Sequence, residues 1–120
     1  MREIYAVIRP EKDRSTKAAL AKLGITAYTS LRVLGRGRQG GLRYGTETNS
    51  NGKQKSLPGI KYLPKKLLYL VVDEGQADLA IETIIKANQS GDYGDGKIFV
   101  CDVENAVRIR TGEQQTAAVW

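Results

Sequence analysis

Two glycine-rich segments carry basic residues at spacings that suit an anion. The first is GRGRQGG at residues 35–41, and the second is GDYGDGK at residues 91–97. Glycine leaves backbone N–H groups unshielded, and a neighbouring Arg or Lys adds a fixed positive charge. Neither segment has the P-loop spacing, in which four residues separate a glycine from a Gly-Lys-Ser/Thr triplet. The sequence therefore predicts backbone contact with an anion such as a phosphate, without a P-loop.

A third segment, VRIRTGE at residues 107–113, places two arginines two positions apart. On a β-strand such residues point to the same face. We expect a short strand here, on which Arg108 and Arg110 face one ligand. Together with Arg38 and Lys97 they would suit a triphosphate. The alternative is that all four are solvated surface charges.

Composition excludes several kinds of site. The chain has 120 residues, no histidine and one cysteine. Sites that depend on imidazole, internal disulfides and cysteine-based zinc sites are therefore excluded. Cys101 ends an apolar run and is expected to be a packed thiol. We expect one domain over residues 1–120 and a cytoplasmic protein without membrane insertion, since no apolar run approaches the length of a membrane span.

The formal charge of +6 is unevenly distributed. Between residues 32 and 66 the one acidic residue is Glu47, whereas the basic residues are Arg32, Arg36, Arg38, Arg43, Lys53, Lys55, Lys61, Lys65 and Lys66. Such a block is typical of a protein with an anionic partner, or of a loop kept soluble by its charge.

Hydrophobic periodicity predicts the elements that must position these residues. Strands are expected at residues 3–9, 27–34, 61–74 (with 67–72 as its core) and 98–101, and helices at 13–23 and 77–88. Between the second and third strands, from residue 35 to residue 59, the apolar pattern fails. We expect a long flexible loop at about 37–59, mobile over 50–56. The order predicts an α+β, ferredoxin-like (βαββαβ) sandwich. One face of its sheet needs cover, which oligomerisation would supply.

Four segments, GRGRQGG, YLPKKLLYLVV, SGDYGDGKIFV and AVRIRTGE, resemble the nitrogen-regulatory PII signalling proteins over nearly the whole chain. The resemblance implies a homotrimer, or a trimer mixed with a paralogue, with a nucleotide site in each cleft between subunits. ATP and ADP compete there, and 2-oxoglutarate joins Mg-ATP. It also implies a non-enzymatic sensor that docks a target protein through the long loop, called the T-loop in this family.

The resemblance also implies roles for individual residues. Nucleotide contacts are expected from Thr29, Gly37, Arg38, Gln39, Tyr69, Leu70, Val71, Gly94, Asp95, Gly96, Lys97, Arg108 and Arg110, the last two reaching over from the adjacent subunit. The 2-oxoglutarate contacts are expected from Gln39, Gly40, Gly41, Lys65 and Gly94. Gln39 would also meet Mg²⁺, and Lys65 would pair with the distal carboxylate of 2-oxoglutarate.

Some positions depart from the common family pattern. The loop lacks a sequence like YRGAEY, so Tyr44 is not carried over as a modified residue. Tyr69 stands where many members have a glutamate near the nucleotide. Arg36, the longer loop and the RPEK segment at residues 9–12 resemble the nitrogenase-associated branch. The target that this branch implies is nitrogenase; an ammonium channel or an enzyme of nitrogen metabolism is the alternative.

Two other classes of protein are compatible with parts of the sequence. A basic ferredoxin-like domain could bind nucleic acid, but the strands lack the aromatic stacking pattern of such modules. A small nucleotide hydrolase could use Asp95 and Glu113 as bases, but it would have no histidine. The sequence therefore favours a sensor that is not an enzyme and has no nucleic-acid partner.

Overall fold

The computed structural model describes residues 1–37, 44–48, 54–57 and 62–119, with only the backbone of 44–48 and 54–57. Its strands are β1 (Arg2–Ile8), β2 (Thr29–Gly35), β3 (Tyr44–Thr48), β4 (Gln54–Leu57), β5 (Leu63–Val72) and β6 (Gly96–Asp102), and its helices are α1 (Asp13–Lys22) and α2 (Glu74–Asn88). None of the described helices is both long and apolar enough to span a membrane.

The main sheet has the strand order β2-β5-β1-β6, with antiparallel neighbours. The central strands β1 and β5 pair from Arg2 opposite Val72 to Ile8 opposite Lys66. Each half of the fold contributes a strand, a helix and a second strand, and the two halves interleave in one sheet. This arrangement confirms the predicted α+β, ferredoxin-like fold.

The core lies between one face of this sheet and the two helices. Alternate residues of the central strands point to the helices, and they are buried: Ile4, Ala6, Ile8, Leu68, Leu70 and Val72. From the helix side, Leu20, Ala80 and Ile84 meet them. A period of two in the strands and of three to four in α2 produces these matching faces. The same periodicity is what located the elements in the sequence.

The opposite face of the sheet is largely open in the single chain. Phe99 is 55% exposed and Leu31 is 51% exposed. Cys101, which lies across from Glu3 in the β1–β6 ladder, is also exposed. The prediction of a packed thiol at Cys101 is therefore wrong for the single chain, because strand alternation turns this residue away from the helices. The open face is the one that was expected to need cover.

The predicted loop at about 37–59 contains regular structure. Strands β3 and β4 pair with each other in a separate two-stranded sheet, from Tyr44 opposite Leu57 to Thr48 opposite Gln54. Part of the segment 50–56, expected to be mobile, belongs to β4. The rest of that segment, 50–53, lies outside the described residues.

Candidate anion-binding cleft

Residues 35–37 of the first glycine-rich segment and the second segment reach the same end of the main sheet. There β2 ends at Gly35 opposite the start of β5, and β1 ends at Ile8 opposite Gly96, the first residue of β6. A cavity of about 400 Å³ opens at this end. We call it the glycine cleft; its lining is Val7, Gly35, Arg36, Gly37, Lys65, Asp92, Tyr93, Gly94, Asp95, Gly96, Lys97 and Phe99.

The glycines of the second segment have a reason within the fold. Gly91, Gly94 and Gly96 have φ values of 92°, 99° and 119°, which side chains rarely adopt. At Gly96 a Cβ atom would also collide with the backbone of Val7. Strand β6 therefore begins where only glycine fits. Contact between this backbone and a ligand is not needed to explain the glycines, and it stays a prediction.

Asp95 organises the loop that precedes β6. Its Oδ2 accepts hydrogen bonds from the backbone N–H groups of Ser90 (2.7 Å) and Gly91 (2.9 Å), and its Oδ1 accepts one from the Ser90 hydroxyl. The Ser90 hydrogen bonds, followed by the Gly91 N–H and the Arg9 charge, lower the pKa of Asp95 to about 2. The carboxylate predicted to contact nucleotide is thus engaged by its own loop.

Lys65 links β5 to the same loop. Its Nζ donates a 2.8 Å hydrogen bond to the carbonyl oxygen of Gly94. Burial, and then the nearby charge of Arg9, lower the pKa of Lys65. An ammonium group that is partly desolvated gains from an anionic neighbour, and it has two further donors to offer. Lys65 is therefore placed to take a carboxylate or phosphate as well as the Gly94 carbonyl.

The remaining charges of the glycine cleft leave the cations in excess. Lys97 and Arg36 line it and are exposed, and with Lys65 they bring three cations to a cavity whose acidic residues are Asp92 and Asp95. Among the described residues no group of three His, Cys, Asp or Glu side chains could hold a metal ion. The cations Lys65, Lys97 and Arg36 suit the binding of a phosphate-bearing or carboxylate-bearing ligand.

The nucleotide contacts expected from β2 and β5, at Thr29 and at residues 69–71, lie elsewhere on the sheet. Thr29 and Tyr69 are cross-strand partners on the open face. The Tyr69 hydroxyl donates to Glu3 Oε2 (2.9 Å), and burial followed by this hydrogen bond raises the pKa of Tyr69 to about 12. Leu70 points into the core and is 1% exposed, so its contribution to a nucleotide site would come from its backbone. Val71 follows on the open face; none of these four lines the glycine cleft.

The segment with paired arginines is a turn, and the prediction of a fifth strand is wrong. Arg108 N–H donates to the Glu113 carbonyl (2.8 Å), and Gly112 N–H donates to the Arg108 carbonyl (2.7 Å). Gly112 has a φ of 72°, a left-handed conformation that reverses the chain. The Arg108 guanidinium contacts the Glu113 carboxylate (3.0 Å) and the Ala117 carbonyl (2.8 Å).

Neither Arg108 nor Arg110 lines the glycine cleft of its own chain. Their expected contribution from an adjacent subunit stays a prediction. Four more residues with predicted roles lie outside the described residues: Arg38, Gln39, Gly40 and Gly41. The structure thus brings together Gly37, Lys65 and residues 94–97 of the predicted site.

Sequence reasoning gave no ligand contact to Arg36 or Asp92 of the lining, and it missed Arg9 beside the cleft. Arg9 donates through Nη2 to the carbonyl oxygen of Tyr93 (3.0 Å), and its Nη1 lies 3.5 Å from Asp95 Oδ1. The opposite charges of Arg9 and Asp95 could have indicated this contact, but only once the strand register was known. In the β1–β6 ladder Ile8 faces Gly96, so the next pair outward is Arg9 and Asp95. A Pro at position 10 marks the end of that strand.

Comparison with known proteins gives a consistent result over the whole chain. Residues 1–113 match the family described as nitrogen regulatory protein P-II. The chain is 46% identical over 122 residues to the nitrogen fixation nifHD region glnB-like protein 2 of Methanococcus maripaludis, covering 99% of this chain and 100% of that protein. It is similar at 43% identity to the nifHD1 region GlnB-like protein 2 of Methanosarcina barkeri, covering 99% of both chains. It is 40% identical to the nitrogen regulatory protein P-II of Synechocystis, covering 99% of this chain and 100% of that protein.

Proposed function

Because the chain belongs to the nitrogen regulatory protein P-II family, we propose that it is a cytoplasmic sensor, not an enzyme, that binds ATP or ADP in competition and binds 2-oxoglutarate together with Mg-ATP. In this proposal the ligands set the conformation of the segment 37–59, which docks a target protein. The observation that carries it is the convergence of both glycine-rich segments on one cavity of about 400 Å³ with Lys65 and Lys97.

The phosphates are assigned to the glycine cleft. Lys97 would supply a charge-assisted contact, and the 94–97 backbone would approach the phosphates closely. Gln39 would contact Mg²⁺, which when bound offsets part of the triphosphate charge. Lys65 would take the distal carboxylate of 2-oxoglutarate, and its existing contact with Gly94 couples that ligand to the loop before β6.

The chain is proposed to act as a trimer. The open face of the sheet, with Phe99 and Leu31 more than half exposed, supports this assembly because it leaves apolar area in contact with water. The turn at 107–113 would then deliver Arg108 and Arg110 to the glycine cleft of a neighbouring subunit. A mixed trimer with a paralogue would satisfy the same contacts.

Regulation requires that a ligand bind one state of the loop better than the other. Gly37 lies in the lining of the glycine cleft, and Arg38 and Gln39 follow it directly in sequence. A ligand held in the cleft would therefore meet the first residues of segment 37–59. The names of the nifHD-region relatives support a target in nitrogen fixation, and we assign nitrogenase; an ammonium channel or an enzyme of nitrogen metabolism is the alternative.

Calorimetric titration with Mg-ATP and ADP tests the proposal, with GTP as the control nucleotide. We expect ATP and ADP to bind and to displace one another, with one site per chain. The proposal would be contradicted if neither ATP nor ADP bound. It would also be contradicted if ATP gave a sustained heat signal from rapid hydrolysis instead of a binding isotherm. Co-precipitation with purified nitrogenase and with an ammonium channel then separates the targets.

A further inference from the structure

Arg9 and Asp95 face each other where two strands of the main sheet stop pairing. The last pairs of the β1–β6 ladder are Val7 with Lys97 and Ile8 with Gly96. Continuing this antiparallel register by one residue places Arg9 across from Asp95. Opposite charges at facing positions attract, and here each side chain is only about one fifth exposed, at 22% for Arg9 and 21% for Asp95.

Arg9 holds the loop before β6 at two points. One guanidinium nitrogen donates to the Tyr93 carbonyl at 3.0 Å, and another lies 3.5 Å from Asp95 Oδ1. Its backbone is extended, with φ −67° and ψ 141°, as expected for a residue that precedes a proline. Pro10 thereby restricts the direction in which this side chain leaves the strand.

Asp95 transmits this hold to the start of the loop. Its carboxylate accepts hydrogen bonds from the backbone of Ser90 and Gly91 and from the Ser90 hydroxyl. Arg9, Asp95 and Ser90 thus form a chain of contacts from the end of β1 to the first residues after α2. The loop segment closed in this way, 90–95, carries Gly94 into the lining of the glycine cleft.

We propose that Arg9 is a positioning residue of the glycine cleft: acting through Asp95, it fixes loop 90–95 in the conformation that presents Gly94, Gly96 and Lys97 to the ligand. The ligand-binding consequence rests on the proposed function, whereas the effect on the loop does not. In this assignment Asp95 serves the phosphate site by shaping the loop, since a carboxylate repels a phosphate.

Hydrogen exchange in the ligand-free protein tests the effect on the loop. In Arg9→Ala the amides of Ser90 and Gly91 should exchange on the order of tenfold faster, while amides in the centres of β1 and β5 keep their rates. Arg9→Lys should recover part of the protection, because an ammonium group can still reach one of the two acceptors. Arg14→Ala, which removes an exposed arginine from α1, is the matched control. It should change neither the exchange rates of the Ser90 and Gly91 amides nor those in the centres of β1 and β5.

A double-mutant cycle on Mg-ATP affinity tests whether Arg9 acts through Asp95. Arg9→Ala and Asp95→Asn should each weaken affinity about tenfold. The double variant should bind Mg-ATP no more weakly than either single variant. If Arg9→Ala does not fold, Arg9→Lys takes its place in both experiments.

Unchanged exchange at Ser90 and Gly91 in the Arg9 variants would overturn the proposal. A loss of Mg-ATP affinity in the double variant equal to the product of the two single losses would also overturn it. Such independent effects would mean that Arg9 contacts the ligand directly and does not act through Asp95. If the wild-type protein binds no Mg-ATP, the proposed function fails, and the exchange comparison still decides the role of Arg9.

Discussion

Gly96 packs so closely against Val7 that a Cβ atom at position 96 would collide with the Val7 carbonyl oxygen. No real Cβ approaches an oxygen so closely, and the obstacle is backbone rather than a movable side chain. Because Gly96 also has a φ of 119°, the pairing of β1 with the first residue of β6 depends on glycine here. The edge of the glycine cleft is therefore fixed by strand packing before any ligand is bound.

Gly96→Ala should destabilise the protein by at least about 2 kcal/mol, because the alanine combines a backbone clash with a left-handed conformation. Thermal and urea denaturation measure this loss. Gly75→Ala is the control: in the first turn of α2 its Cβ would meet nothing within 4 Å, and alanine should leave stability unchanged or slightly raised. A wild-type melting temperature in Gly96→Ala would contradict the close approach.

Asp95 should make stability depend on pH in the acid range. Its pKa in the folded chain is about 2, against an ordinary value of 3.8. A lowered carboxyl pKa stabilises the fold above the ordinary value, and this contribution is lost as the pH falls through the folded value. The urea midpoints of wild type and Asp95→Asn should therefore differ by a constant amount above about pH 4, and this difference should shrink as the pH falls toward 2. A difference that persists unchanged at pH 2 would show that the carboxylate charge is not what holds the loop.

Lys97→Ala should weaken Mg-ATP binding by about 1.5–3 kcal/mol while leaving the assembly folded, because it removes one charge-assisted contact. Calorimetry measures the affinity, and sedimentation velocity measures the assembly. Lys86→Ala removes a lysine from the exposed side of α2 and serves as the charge-matched control. ATP affinity near that of wild type in Lys97→Ala would remove the second glycine segment from the phosphate site.

Replacement of residues 42–59 by a short Gly-Ser linker should leave the main sheet folded, since β3 and β4 pair with each other and not within that sheet. Target binding should be abolished in a pull-down against nitrogenase or another physiological target. The basic residues Arg43, Lys53 and Lys55 favour an acidic docking surface, so binding of the unaltered protein should also weaken with added salt.

Two results would contradict the assignment of target binding to residues 42–59. Retained target binding in the linker variant would place recognition elsewhere on the assembly. Loss of the folded core, seen as a drop in melting temperature, would show instead that residues 42–59 support the sheet.

The sequence was sufficient for elements with long, regular periodicity. Strand β1, predicted at 3–9, spans Arg2–Ile8, and α2, predicted at 77–88, spans Glu74–Asn88. Periodicity gave these positions because their buried residues recur at a fixed spacing. It could not locate the turn at 107–113, where the left-handed conformation of Gly112 outweighs a two-residue alternation.

The chemistry around the cleft was harder to derive, because it depends on pairing between distant strands. The glycines and Lys97 of the second segment suggested an anion site, and the resemblance implied that Asp95 contacts the nucleotide, yet the partners of Asp95 are Ser90, Gly91 and Arg9. Arg9 is far from Asp95 in sequence, and the ladder between β1 and β6 brings them together. Similarly, Cys101 was placed on a strand correctly, but its face followed only from the register with Glu3.

The affinity for 2-oxoglutarate with and without Mg-ATP tests the central claim most directly, since a sensor of both must couple them. Calorimetry on the wild-type protein should show clearly tighter 2-oxoglutarate binding when Mg-ATP is present. Gln39→Ala should keep much of its ATP affinity and lose this coupling, because its amide is the group assigned to both ligands. A 2-oxoglutarate affinity that is the same with and without Mg-ATP in the wild-type protein would contradict the account.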